Sequence, residues 1–172
     1  ATNTITVSGE GTIEKAPDTA KISFTISSEK KVLKDAQDEV STKVNVAKQA
    51  LITIGVDEKY IKTDSYSSYP QYDYPQVVCM AIGCPKPGTP VLRGYQVSHA
   101  ITVNVKNLDV VEQVLGALGK AGVTNIEGPN FGFEDDKQVA REARDAAIQD
   151  AKGEAAKLAQ SLGVKLVRIV SF

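Results

Sequence analysis

Three stretches of this 172-residue chain carry the same stop signal, and it constrains the fold more than any other feature. Ile54-Gly55-Val56, Ala121-Gly122-Val123 and Leu162-Gly163-Val164 each close an apolar-periodic segment and lead directly into a β-type segment. Glycine reaches the positive φ that ends a helix, and the valine after it supplies the apolar contact that seals the turn. The chain is thus organised around three helices, each followed at once by a strand.

The segments before the stops support this. Leu33, Ala36, Val40, Val44, Ala47, Leu51 and Ile54 recur at spacings of three and four, one stripe of an amphipathic helix from about Val32 to Ile54. A second helix starts at Asn107 or Asp109, either of which can cap it, and Asp109 with Glu112 has capping-box spacing. A third is capped by Asp135 or Asp136, with Gln138 at the third helical position if Asp135 is the cap. Its stripe is Val139, Ala143, Ala147, Ala151, Ala155, Leu158 and Leu162. Being mostly alanine, it can lie close against its support.

Strands fill the rest. Ile5 to Ile13 alternates, and Gly9 and Gly11 share the face of Ile5, Val7 and Ile13, which predicts either a close backbone approach or a bulge. Ile22, Phe24 and Ile26 oppose Lys21, Ser23 and Thr25 in a second strand. A third runs from near Tyr60 into Tyr69-Pro70-Gln71-Tyr72. After a loop from Pro75 to Pro90, Val91 to Lys106 sets Tyr95, Val97, His99, Ile101, Val103 and Val105 against Gln96, Ser98, Thr102 and Asn104. Ile126 to Phe133 is a fifth strand, and Val164 to Phe172 a last one.

The expected fold class is α+β: a largely antiparallel sheet with long helices on one face. It has a ferredoxin-like βαββαβ core plus an N-terminal strand and a C-terminal αβ unit. Residues 1–172 are expected to form a single domain with a protruding hairpin loop at about 70–92.

Charge narrows the partners. The formal net charge is -1, with Lys and Arg interleaved among acids, so no single-sign field draws the chain to nucleic acid or an anionic membrane. No apolar run approaches a membrane span. The opening Ala1-Thr2-Asn3 without Met fits removal of an export leader, and equally a trimmed chain.

Catalytic chemistry finds little to work with. His99 is the only histidine and sits on the apolar face of a strand. A nucleophilic cysteine would have that one histidine as its base. Glu134-Asp135-Asp136 reads as a helix N-terminus rather than a cation site. Gly9-x-Gly11 lies within a strand and is no dinucleotide fingerprint. We expect no catalytic residues, no cofactor and no metal. Cys79 and Cys84 lie close together in a Pro/Gly-rich stretch, which in an exported protein favours a local disulfide over a metal site needing about four ligands. All six tyrosines fall between positions 60 and 95. Tyrosine concentrates in strands as well as at interfaces, so Tyr66, Tyr69, Tyr72, Tyr74 and Tyr95 are either ordinary strand residues of this hairpin or an interaction surface.

Val7-Ser8-Gly9-Glu10-Gly11 followed by Ala16-Pro17-Asp18 resembles the opening of the SIMPL-domain family. A long helix, Tyr69-Pro70-Gln71-Tyr72, Gly94-Tyr95-Gln96-Val97-Ser98 and the helix ending Leu158-Ala159-Gln160-Ser161-Leu162-Gly163-Val164 follow in the same order. The resemblance implies a bacterial envelope protein, periplasmic or extracellular, with no established enzyme activity and a loose link to oxidative-stress tolerance. It also implies homo-oligomers among some members. The Pro75 to Pro90 loop departs from the family pattern. Family members usually continue beyond the position of Phe172, so a further strand region is expected to follow it. A homo-oligomer is the expected partner, with a monomeric module binding a ligand or envelope polymer as the alternative, and a thiol redox role a third.

Overall fold

The computed structural model describes residues 3–75, 79 and 88–171. The chain divides into two compact units: Asp18–Gly132, and Ala1–Pro17 joined with Phe133–Phe172.

The first unit contains β1 (Thr19–Lys30), α1 (Leu33–Ile54), β2 (Ile61–Asp73), β3 (Val91–Val105), α2 (Val111–Lys120) and β4 (Asn125–Gly132). The sheet order is β2-β3-β1-β4 with every neighbouring pair antiparallel. This is the split-βαβ plan expected from the sequence. Its cause is visible in β1. Ala20, Ile22, Phe24 and Ile26 are buried to within 2% of completely, while the intervening side chains stay partly or fully exposed. Ile22 stands opposite Val103 and Phe24 opposite Ile101, so two apolar rows of adjacent strands face the same side. α1 lays Ala36, Val40, Val44, Ala47 and Leu51 into that core, and α2 adds Val111, Val114 and Leu118. Each large side chain so buried contributes about 1.5–3 kcal/mol.

The other face of the sheet is polar and bears no helix of this unit. Paired residues line up in rows across the strands. Ser67, Ser98 and Ser27 form one row, and Ser65, Ala100 and Thr25 the next. Both sheet edges are irregular. On β2 the register shifts at Asp64, and Pro70 removes an amide donor. On β4 the pairing with β1 shifts between Lys21 and Ser23, beside Pro129.

Helix ends follow the expected signals in part. Gly55, Gly122 and Gly163 take φ of +105°, +75° and +67°. At the first stop the Val56 amide donates to the Leu51 carbonyl at 3.0 Å, and Val56 is buried. At the third, Val164 makes the equivalent bond to Ala159, but its side chain is half exposed. Asn107 caps a short 3-10 turn, Leu108–Val110, rather than α2 itself, which begins behind Val110 without a side-chain cap. The Asp109/Glu112 capping box therefore does not form.

The second unit is built on α3 (Asp136–Leu162). Asp135 is its cap, its carboxylate accepting from the Gln138 amide at 2.8 Å. Residues 3–17 run along this helix. Ile5, Val7, Gly9, Gly11 and Ile13 face inward and their neighbours outward, as the alternation predicted. A Cβ on Gly9 would overlap the Ala147 carbonyl and stand 2.6 Å from the Ala151 amide nitrogen. One on Gly11 would overlap the Ala143 carbonyl and stand 2.6 Å from the Ala147 nitrogen. Opposed glycines and alanines thus let the two backbones touch. The Glu10 amide donates to the Asp150 carboxylate at 2.9 Å.

Three expectations fail here. Residues 3–17 keep the two-residue period but form no strand, and residues 164–171 form none either. A strand is defined by a hydrogen-bonded neighbour, and neither stretch has one among the described residues. Leu158 and Leu162 are exposed, and Ala159 is the buried end of the stripe. The inward row steps in fours from Val139 to Ala159, with Ala146 and Ile148 also partly buried.

Candidate interaction surface

The tyrosines of the candidate interaction surface are distributed over both faces of the β2–β3 hairpin. Tyr66 stands opposite His99 on the helix side, and the two rings meet edge to face with centroids 5.7 Å apart. Tyr95, half-buried, and Tyr72 share that side by alternation. Tyr69 stands opposite Gln96 on the open side, where Gln71 donates its side-chain amide to Gln96 at 2.8 Å. Tyr74 lies past the end of β2 and is 72% exposed. Beside Tyr72 and Tyr74, the sequence reading missed Val91 and Leu92, which are also exposed. β1 pairs with β3 only as far as Tyr95, so this end of the hairpin runs on beyond β1.

His99 is held in place. The Thr63 hydroxyl lies 2.9 Å from its Nε2. Burial, and secondarily the charge of Lys48, push its pKa below the usual imidazole value. It therefore stays neutral near pH 7 and serves as a strand-packing residue.

Two groups of charged residues are tightly paired. Arg93 grips the Glu29 carboxylate with two nitrogens, at 2.7 and 3.0 Å. Glu39 on α1 accepts from Lys30 and Lys43, both at 2.7 Å, and from the Ser28 hydroxyl at 3.0 Å. Those contacts, led by Lys30 and then Lys43 and Ser28, hold the Glu39 pKa at about 2. A carboxylate with a depressed folded pKa stabilises the fold above its unfolded value near 4.5 and loses that contribution as pH falls toward 2. Thermal melts of the parent protein and Glu39→Gln are therefore expected to differ most at pH 5–7, with the gap narrowing progressively from about pH 4.5 toward pH 2. A gap that stays constant down to pH 2 would refute this role.

Among the described residues there is no group of three or more His, Cys, Asp or Glu side chains able to hold a metal. None of the described cysteines is a free thiol. Cys79 is described, whereas Cys84 and most of the Pro75 to Pro90 loop lie outside the described residues, so the expected pairing is only half in view. Two cavities of about 420 and 140 Å³ open in the sheet unit. The larger is a groove between α1 and α2 floored by Val46, Ala50 and Ala117. Neither is lined by Tyr66, Tyr72 or Tyr95. No helix among the described residues is long and apolar enough to cross a membrane.

These features define an α+β protein whose distinctive side chains lie on open surfaces rather than in a cleft. The chain belongs to the SIMPL family, described as a protein of unknown function (DUF541), which it matches over residues 5–172. It is similar to the uncharacterized protein YggE of Edwardsiella ictaluri, 26% identical over 167 residues, covering 97% of this chain and 66% of that one. The 26 kDa periplasmic immunogenic protein of Brucella melitensis is 27% identical over 166 residues, covering 96% and 64%. YggE of Escherichia coli K12 is 25% identical over 167 residues, covering 97% and 63%. The chain thus spans slightly less than two thirds of the length of these relatives.

Proposed function

We propose that this is a non-catalytic protein of the bacterial envelope, located in the periplasm, that works by assembling with copies of itself through the β2–β3 hairpin. The observation that carries the reading is Tyr72 standing opposite Leu92, each at least 44% exposed, with exposed Tyr74 just past the strand end, where the hairpin outruns β1. Contiguous apolar side chains of this kind on a surface mark contact sites. The periplasmic location draws on the relative named for that compartment. In such an oxidising setting Cys79 and Cys84 pair and stiffen the loop at the hairpin tip.

Size-exclusion chromatography with light scattering on the complete protein tests the assembly. The expected mass exceeds one chain and falls toward it when Tyr72, Tyr74 and Leu92 are all changed to serine. A single-chain mass at every concentration would overturn the proposal. Alkylation of the same samples with and without reductant tests the pairing, since two thiols reactive before reduction would exclude it.

A further inference from the structure

We propose that the open face of the sheet is a binding surface for a neutral glycan chain. The chemistry of its rows points there. Ser67, Ser98 and Ser27 cross three strands side by side, and the Ser65, Ala100 and Thr25 row extends onto β4 at Asn125. Neighbouring strands lie about 4.8 Å apart, so these rows form a compact lattice of hydroxyl and amide groups. Ser65, Ser67 and Ser98 engage no other side chain among the described residues, which leaves their donors and acceptors for a ligand.

Charge selects the ligand class. These two rows contain no ionisable side chain. The next row, Tyr69, Gln96 and Glu29, ends in a carboxylate that Arg93 already neutralises with two contacts. Further ionised groups of this face lie at the opposite end, where Lys62, Thr102, Ser23 and Glu127 share a row, Asp64 accepts from the Thr102 hydroxyl and Glu127 from the Asn125 side-chain amide. An anionic polymer would find no complementary field over the serine rows.

Tyr69 adds the remaining element. Its ring, 44% exposed, borders the neutral rows. A sugar ring presents an apolar C–H face, which stacks on an aromatic ring, and a rim of hydroxyls, which pair with serines and amides. Neither cavity described above is lined by these rows, so one sugar would bury little area. A chain lying across several strands would bury enough to bind.

The test is an NMR titration of the isotopically labelled protein with chitohexaose and maltohexaose as neutral probes and polygalacturonate as the anionic control. At least one neutral probe is expected to shift the amides of residues 23–27, 65–69 and 96–100. Tyr69→Ala, and separately Ser98→Val, are expected to weaken that binding at least tenfold while the spectra keep their native dispersion. Four results would each overturn the proposal: no shift at millimolar neutral probe, shifts confined to other elements, preference for polygalacturonate, or unchanged affinity in both variants. Broadening of the same amides that grows with protein concentration and needs no glycan would overturn it too, since a second copy would then occupy the face.

Discussion

Replacing Gly11 by valine is expected to loosen residues 3–17 from α3. No side chain fits at this position, because even a Cβ overlaps the Ala143 carbonyl and crowds the Ala147 nitrogen. These are backbone atoms inside a helix, so they cannot swing aside as a flexible side chain can. The N-terminal segment must move outward, which parts Ile5, Val7 and Ile13 from the helix. Overpacking of a tight contact costs about 1–3 kcal/mol, and valine adds more bulk than the single Cβ already excluded. The readout is hydrogen exchange: the Glu10 amide, which donates to Asp150, should lose protection in Gly11→Val. A contrast lies on the same helix. Gly153 has nothing within 4 Å of an added Cβ, so Gly153→Ala should stabilise α3 by about 0.5–1 kcal/mol. If both variants lowered the melting temperature alike, glycine content rather than close approach would be the cause.

The second large effect is expected at Phe24. It lies on β1, the strand flanked by both β3 and β4, and is 2% exposed. Phe24→Ala should destabilise the protein by about 3–5 kcal/mol through lost burial and the cavity left behind. Denaturant unfolding followed by circular dichroism measures it. A loss under about 1 kcal/mol would mean that α1 and the sheet collapse into the gap, and that this core is less rigid than its burial indicates.

The sequence made the central sheet legible for a physical reason. Ile22, Phe24 and Ile26 alternate strictly, and the α1 stripe has one period throughout, so local pattern and global packing agree. At Gly9 and Gly11 the sequence narrowed the choice to a close approach or a bulge, and only the packing against α3 decides for the close approach. The ends of the chain were less legible. An alternating or apolar stretch reports which side faces inward, but not whether a neighbouring strand exists to pair with it.

The tyrosines show a different limit. Counting by twos from the buried Ile61 would put Tyr69 on the helix side and Tyr66 on the open side. The register shift at Asp64 inserts one residue and reverses both. No propensity marks that insertion in advance. The serine rows were missed differently. Ser23, Thr25, Ser98 and Thr102 were visible as outward positions, but their alignment across strands is a property of register, which a single strand does not contain.

The irregular sheet edges bear on how such a protein tolerates crowding. A long exposed strand normally offers a template on which further chains stack into fibrils. β2 carries Lys62, the shift at Asp64 and Pro70 along its 13 residues, and β4 carries Pro129 beside its own shift. Each interrupts the ladder that a fibril would have to continue. Growth by strand addition is therefore discouraged at both ends of the sheet.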